Sequence, residues 1–200
     1  MPPILQQHKY HPFGPYLAEM PVDPVYCAKL LKLGKKLKKS HRKNLVGQIE
    51  HEYLYPIETE PWVINEFQIY VNSWIDGFRR FASKPNFNPK YQITQMWINR
   101  MRAKEYNPMH VHTSCSLSFV LFLEAPQQML DEAKKNETNA PGPGELCFYY
   151  GEEGFQSVTE KHFAPVINTL VIFPANVRHS VMHFNSKVIR TTVAGNIKFV

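Results

Sequence analysis

The sequence predicts a mainly β fold with N-terminal helices, a barrel or jelly roll backed by a helical layer. Residues 90–199 contain short alternating or continuous apolar runs separated by polar turns, which is the pattern of β-strands. Residues 23–84 instead carry apolar side chains three and four positions apart, which indicates amphipathic helices. The chain has 200 residues and is 44% hydrophobic, so it is long enough to form one domain with a sizeable core.

The N-terminal part is predicted to be an extended arm followed by helices. Residues 1–22 are rich in proline and aromatic residues and show no clear period. A first helix is expected to begin with Asp23 as N-cap and Pro24 at the first position, and to end near residues 40–44. A second helix is expected to begin at Pro61. The expected division is therefore an arm at 1–22 and a single domain at 23–200, with a helical layer at 23–84 and a β core at 90–200.

Seven strands are expected in the β core. They cover residues 90–105, 116–124, 145–150, 161–165, 169–173, 178–184 and 188–199. In the first strand, alternation places Ile93, Trp97 and Asn99 on one face. The last two strands are expected to be joined across residues 185–187, and residues 127–143 are expected to form a polar exposed loop.

A basic segment contributes much of the formal net charge of +6. Its members are Lys29, Lys32, Lys35, Lys36, Lys38, Lys39, Arg42 and Lys43. The segment could bind nucleic acid, or it could simply be the solvated face of the first helix. No aromatic residues are interleaved with the basic ones and no known binding module surrounds them, which favours the solvated face.

Cysteine usage and hydropathy predict a cytoplasmic protein, in the host cytoplasm if the source is a virus. Cys27, Cys115 and Cys147 have no Cys-x-x-Cys spacing, which argues against a disulfide framework. No apolar run resembles a signal peptide or approaches the ~20 residues of a membrane span. We therefore expect no membrane partner.

The histidines contain the clearest candidate for chemistry. His110 and His112 are two positions apart next to predicted strands, so their side chains can point to one face and hold one metal ion. A third histidine, His179, follows the predicted strand at 169–173. Imidazoles suit iron, zinc, copper and nickel alike, so the pattern does not name the metal. The other interpretation of His110 and His112 is a pair of surface or hydrogen-bonding histidines, as we expect for His8, His11, His41, His51 and His162.

Three C-terminal segments resemble a known enzyme family. They are Gly144-Glu-Leu-Cys-Phe, Asn168-Thr-Leu-Val-Ile-Phe-Pro-Ala-Asn-Val-Arg-His-Ser-Val and Arg190-Thr-Thr-Val-Ala-Gly-Asn-Ile. Together with Asn44-Leu-Val-Gly-Gln, Trp97-x-Asn99 and His110-x-His112, they resemble the 2-oxoglutarate/Fe(II)-dependent oxygenases. The likeness is to short bacterial and viral members related to prolyl 4-hydroxylases, and it spans about residues 40–200 in the right order.

This resemblance implies a double-stranded β-helix, which is a cupin-like jelly roll, backed by helices. It implies that His110, His112 and His179 hold Fe(II), and that Arg190 binds the far carboxylate of the cosubstrate 2-oxoglutarate with support from Thr192. Asn99 and Trp97 are expected to line the same pocket. The implied activity is hydroxylation by O2 of an unidentified substrate. A prolyl or other peptide side chain fits the likeness, and small molecules fit as well.

One position departs from the larger superfamily, which has His-x-Asp or His-x-Glu where this chain has His110-x-His112. The next acidic residue downstream is Glu124. Either the metal site is a set of three histidines, or only one of His110 and His112 binds the metal. His183, four residues after His179, is an alternative distal ligand. A nucleophilic role for Cys115, close to the histidines, has no supporting motif.

Two other functions remain open from the sequence. A cupin-like metal-binding or structural protein would retain the fold without oxygenase activity, which the missing carboxylate favours. A nucleic-acid-associated accessory protein would use the basic segment at 29–43. A homodimer is the default expectation for oligomeric state.

Overall fold

The structure is a computed structural model that describes residues 13–135 and 137–200. The described helices are α1 (Pro24–Gly34), α2 (Trp62–Asn65), α3 (Gln68–Phe81) and α4 (Gln127–Leu130). The described strands are β1 (Ala18–Pro21), β2 (Glu52–Leu54), β3 (Tyr91–Met101), β4 (Asn107–His110), β5 (Leu117–Glu124), β6 (Leu146–Tyr149), β7 (Glu160–Phe163), β8 (Thr169–Pro174), β9 (Arg178–Val181) and β10 (Arg190–Phe199).

The strands form two antiparallel sheets, which confirms the predicted mainly β jelly roll with helices. The large sheet has the order β1-β8-β5-β10-β3-β2, and the small sheet has the order β4-β9-β6-β7. Strand β10 lies at the centre of the large sheet between β5 and β3, while β9 pairs with β4 and β6. Strands β9 and β10 follow one another in the chain but lie in different sheets. The segment that joins them therefore crosses from the small sheet to the large sheet and does not form a hairpin.

Alternation along the strands of the large sheet produces two apolar layers. One face packs on the helices, where Leu30 of α1 and Trp74 of α3 meet Ile98 and Leu121. The other face packs on the small sheet and contributes Trp97, Phe122 and Phe173, which meet Phe148 of the small sheet. This second face is the inner wall of the barrel, and polar side chains on it point into an enclosed space.

Helix α1 begins as predicted and ends earlier. The Asp23 side chain accepts a hydrogen bond from the Val25 backbone N–H at 2.8 Å, and Pro24 occupies the first turn. The predicted end near residues 40–44 is wrong, because the helix stops at Gly34. A Cβ at Gly34 would lie 2.4 Å from Cδ1 of Ile98, so a larger residue at this helix end would displace the Ile98 side chain.

Three other local features differ from the sequence expectations. Within the predicted arm, Ala18–Pro21 forms edge strand β1 on β8, while residues 1–12, including His8 and His11, lie outside the described residues. Strand β2 was not predicted, because three residues are too short for a recognisable period. A bulge in β3 turns Ile93 toward the helical side, away from the face shared by Trp97 and Asn99.

The segment 127–143 is less irregular than expected, since it contains α4 and a 3-10 turn at Asp131–Lys135. All three cysteines are free thiols. In the part of the chain that the structure describes, no helix has the length and apolar character needed to cross a membrane.

Candidate metal centre

The three histidines meet at the end of the small sheet. Strand register places His110, the last residue of β4, directly opposite His179 of β9. His112 lies two residues beyond the strand, where its backbone N–H donates to the Ala175 carbonyl at 2.8 Å. One nitrogen of each ring lies within 4.8 Å of a nitrogen of the other two. The structure therefore brings together three ring nitrogens at a separation that suits one metal ion.

Backbone carbonyls orient two of the rings. Nδ1 of His110 lies 2.7 Å from the Pro108 carbonyl, and Nδ1 of His179 lies 2.9 Å from the Val177 carbonyl. A carbonyl oxygen can only accept a hydrogen bond, so both Nδ1 atoms carry the proton. The unprotonated Nε2 of each ring keeps a lone pair with which it can bind a metal ion. A second hydrogen bond of this kind is what holds metal-binding histidines in one tautomer and one orientation.

Burial keeps these imidazoles neutral. It lowers the pKa of His110. Burial, and then the neighbouring His110 ring, lower the pKa of His179 to about 3 and that of His112 to about 4. The rings are therefore unprotonated at neutral pH and can bind a cation without first losing a proton. The donor set fits a divalent transition metal, because imidazole nitrogen is a ligand for all of the common ones.

The alternative ligands do not join this cluster. His183 is exposed, and the strand that carries His179 ends at Val181. The Glu124 carboxylate accepts from the Thr191 hydroxyl at 2.6 Å and pairs with Lys35 at 2.9 Å, so it is engaged elsewhere. Burial raises the pKa of the Cys115 thiol, which makes it a poor nucleophile.

Arg190 extends into the barrel, where no described acidic residue forms an ion pair with it. It is only 2% exposed, and among the described residues its Nε and Nη2 atoms have no hydrogen-bond partner. The guanidinium lies 5.1 Å from the Phe122 ring centre, and its stem passes so close to Gly144 that a Cβ there would lie 2.9 Å from Arg190 Cδ. Burial lowers the pKa of Arg190 to about 9, so the group is still charged at pH 7. Such a group fits a site that receives an anion.

Arg190 and the histidines line one cavity of about 300 Å³. Asn99, Thr192 and Trp97 line it too. The Asn99 amide donates to the Thr192 hydroxyl at 3.4 Å across the β3–β10 pair, and the Asn99 carbonyl oxygen has no partner among the described residues. The cavity thus combines a metal-binding end, a buried cation and a free hydrogen-bonding edge.

Glu52 of β2 is a cavity residue that sequence reasoning missed. It pairs with Asn99 in the sheet, so Glu52, Asn99 and Thr192 form one row across three strands. Glu52 is 1% exposed, and its Oε2 has no partner among the described residues. Burial raises the pKa of its carboxyl to about 8. An acidic residue in a three-residue strand carries no periodic signal, so only the fold identifies it.

Glu52→Gln should stabilise the metal-free protein at pH 8 and leave it unchanged at pH 4. The pKa of the Glu52 carboxyl is higher in the folded state than in the unfolded state. Between these two pKa values the native state binds more protons than the unfolded state, so stability is lost as pH rises. The glutamine removes that loss of stability, which is on the order of 4 kcal/mol at pH 8. Urea unfolding at both pH values measures it, with the exposed Glu50→Gln as control. Equal pH dependence in Glu52→Gln and wild type would contradict the buried acid.

The basic side chains are exposed, and the segment leads directly into the cavity-lining residues Asn44 and Leu45. Lys29 pairs with Glu66 and Lys35 pairs with Glu124. These contacts belong to the packing of α1 on its neighbours and are typical of a solvated helix face. They give no support to a nucleic-acid surface.

Comparison with known proteins identifies the chain's relatives. A family model described as "Putative 2OG-Fe(II) oxygenase" matches residues 95–196, which is just over half of the chain. The matched segment contains all three clustered histidines, Arg190 and Thr192. A search of curated proteins finds no match.

Solved structures similar to this one share its double-stranded β-helix fold at low sequence identity. A 2OG-Fe(II) oxygenase family protein from Burkholderia pseudomallei has 15% identity and a TM-score of 0.61, covering 91% of this chain and 84% of its own. A viral collagen prolyl hydroxylase from Paramecium bursaria Chlorella virus-1, in complex with 2-oxoglutarate, has 15% identity and a TM-score of 0.59, covering 92% and 96%. A prolyl hydroxylase from Trichoplax adhaerens, bound to a peptide fragment of hypoxia inducible factor, has 11% identity and a TM-score of 0.57, covering 92% and 83%.

Proposed function

We propose that this chain, which belongs to the 2OG-Fe(II) oxygenase family, is a dioxygenase. In this proposal, its Fe(II) is held by His110, His112 and His179. Arg190, with Thr192 and Asn99, would hold 2-oxoglutarate. When bound, Fe(II) and 2-oxoglutarate supply the oxidising chemistry, in which O2 hydroxylates a substrate and succinate and CO2 are released. The protein's own part is to bind, orient and shield these groups.

The observation that carries the proposal is the buried unpaired Arg190 in the same cavity as three neutral histidines. A buried guanidinium without a counter-charge costs free energy, so its retention is explained by an anion that arrives with the ligand. Its planar fork can donate two parallel hydrogen bonds to one carboxylate. 2-Oxoglutarate has one carboxylate next to its keto group and a second at the far end, so it can reach both a metal and Arg190.

The other cavity residues have assignable tasks. The Thr192 hydroxyl accepts from Asn99, so its own proton remains available to a ligand carboxylate. Phe173 packs edge-on against His179 with ring centres 4.7 Å apart, and Phe148 lies 5.8 Å away. These aromatic walls keep water from the His179 side of the cluster and fix the ring in place.

We propose a peptide side chain, prolyl among the candidates, as the substrate class. The support comes from structurally similar proteins, one a collagen prolyl hydroxylase and one a prolyl hydroxylase bound to a peptide. A small molecule is the alternative, and a panel of peptides compared with free amino acids distinguishes the two. Substrates are recognised by succinate formation above the rate without substrate.

The experiment that tests the cofactor assignment is an anaerobic titration of metal-free protein with Fe(II) and then 2-oxoglutarate. Chelation of Fe(II) by the keto acid should produce a visible charge-transfer band that saturates at one equivalent of each. The exposed Lys198→Met variant, which removes a cation from the same strand as Arg190, should titrate identically. Metal binding without any band on adding 2-oxoglutarate would contradict the proposed function.

A second candidate is favoured by the donor set itself. Three imidazoles leave more positive charge on a metal than two imidazoles and a carboxylate do, which suits a metal-binding protein without oxygenase activity. Succinate formation that requires added Fe(II) would exclude this candidate. Tight zinc binding without 2-oxoglutarate turnover would favour it.

A further inference from the structure

A second group of metal-binding side chains lies on the opposite face of the small sheet from the barrel interior. In β6, Leu146 and Phe148 point into the core between the sheets, so Cys147 points to the other face. Cys147 lies directly opposite His162 of β7, and Glu145 precedes Cys147 by two residues. One ligand atom from each of Glu145, Cys147 and His162 lies within 4.8 Å of the other two. The arrangement is set by strand register, which holds the donors in place.

The side chains of this group do not satisfy one another, although the Cys147 thiol donates to the Glu145 backbone carbonyl at 3.9 Å. His162 Nδ1 is 3.8 Å from a Glu145 carboxylate oxygen, too far for a hydrogen bond. His162 Nε2 is buried and lacks a hydrogen-bond partner among the described residues, although a Glu160 carboxylate oxygen lies 3.3 Å away. Cys147 is wholly buried, although it lies on the outer face of the sheet.

The carboxylates of the group have His162 as their neighbouring basic side chain. Over residues 13–135 and 137–200, neither Glu145 nor Glu160 forms an ion pair with a lysine or arginine. Two carboxylates therefore face one imidazole and one buried thiol. Burial, and then the Glu145 carboxylate, raise the pKa of the Cys147 thiol to about 11. Each of these features would be relieved by a bound cation.

We propose that Glu145, Cys147 and His162 form a second metal site, which takes Zn(II) or a similar thiophilic divalent cation. Thiolate, imidazole and carboxylate are the three ligand types that zinc uses in proteins, with bonds of about 2.0–2.3 Å. The donors need to close only slightly from their present separation to reach such distances. On binding, the ion displaces the Cys147 proton, and the proton goes to solvent. Water would complete the coordination.

This site does not depend on the proposed oxygenase function, and its role follows from its place in the sheet. Among the described strands, β7 is at the edge of its sheet and pairs only with β6, which in turn pairs with β9, the strand of His179. A metal bound across β6 and β7 would fasten that edge. The expected consequence is a more stable small sheet, with no direct part in chemistry at the three histidines.

Cobalt(II) titration of the whole protein tests the proposal. Cobalt occupies zinc sites, and a cobalt–thiolate bond gives an intense near-ultraviolet charge-transfer band, whereas three imidazoles contain no sulfur. Wild-type protein should show the band, and added zinc should abolish it. Cys115→Ser and His179→Ala should retain it, because neither residue belongs to the site.

Two variants test the cobalt–thiolate band by different routes, one through the sulfur and one through the imidazole. Cys147→Ser removes the sulfur, and His162→Ala, at a half-buried position, should weaken cobalt binding at least tenfold without disturbing the fold. Circular dichroism of each variant monitors folding. Absence of a thiolate band in wild type, its survival in Cys147→Ser, or wild-type affinity in folded His162→Ala would overturn the proposal.

Discussion

His179→Ala is expected to abolish both the Fe(II)/2-oxoglutarate charge-transfer band and Fe(II)-dependent succinate formation. His179 is 3% exposed, its Nδ1 is committed to the Val177 carbonyl, and its Nε2 lies 3.3 Å from that of His112. Removing a partner of a metal ligand already costs about 10–100-fold in metal affinity or activity, so removing the ligand should cost more. We expect turnover to fall at least about 100-fold, measured as succinate formed at saturating 2-oxoglutarate.

His183→Ala is the matched control for this experiment. His183 lies four residues further along the chain and is exposed, so its loss should leave both the band and turnover unchanged. The alanine at position 179 also leaves a small buried cavity, which is expected to lower the free energy of unfolding by about 1–3 kcal/mol. A urea titration shows that the variant is still folded. Normal turnover in His179→Ala would remove this histidine from the metal site.

Arg190→Met is expected to have opposite effects on ligand binding and on stability. Two charge-assisted hydrogen bonds to a carboxylate contribute roughly 3 kcal/mol, so the KM for 2-oxoglutarate should rise about 100-fold. The ligand-free protein should become more stable by about 1–4 kcal/mol, because an unpaired buried charge is replaced by an apolar side chain. The folded pKa of about 9 lies below the unfolded value, so this penalty is fully present at pH 7.

Combining the two measurements distinguishes a ligand-binding arginine from a structural one. If Arg190 had a purely structural role, its replacement would make the protein less stable. The KM for 2-oxoglutarate would then change only as far as the folded fraction changes. Lys198→Met, an exposed cation on the same strand, should change neither quantity. An unchanged KM for 2-oxoglutarate in Arg190→Met would contradict the role assigned to the guanidinium.

Local patterns predicted much of the architecture. The Asp23–Pro24 helix start and the buried runs at β5 and β8 depend on neighbouring residues, so they can be read from the chain. The shift of Ile93 could not be predicted, because a bulge is defined by the partner strand. Strand β2 was missed because three residues do not establish a period. The length of α1 was overestimated because the approach of Gly34 to Ile98 is a tertiary contact.

The sequence by itself determined the fold class, the family resemblance and the residue types of the site, because short spacings encode local geometry and donor chemistry. Only the tertiary structure decided that His112 and His179, which are 67 residues apart, come within 3.3 Å. It alone decided that polar atoms of Arg190 and Glu52 are buried without a hydrogen-bond partner among the described residues, and that Cys147 meets His162. The reason is physical: strand register and desolvation arise from contacts between distant segments, and no local pattern records them.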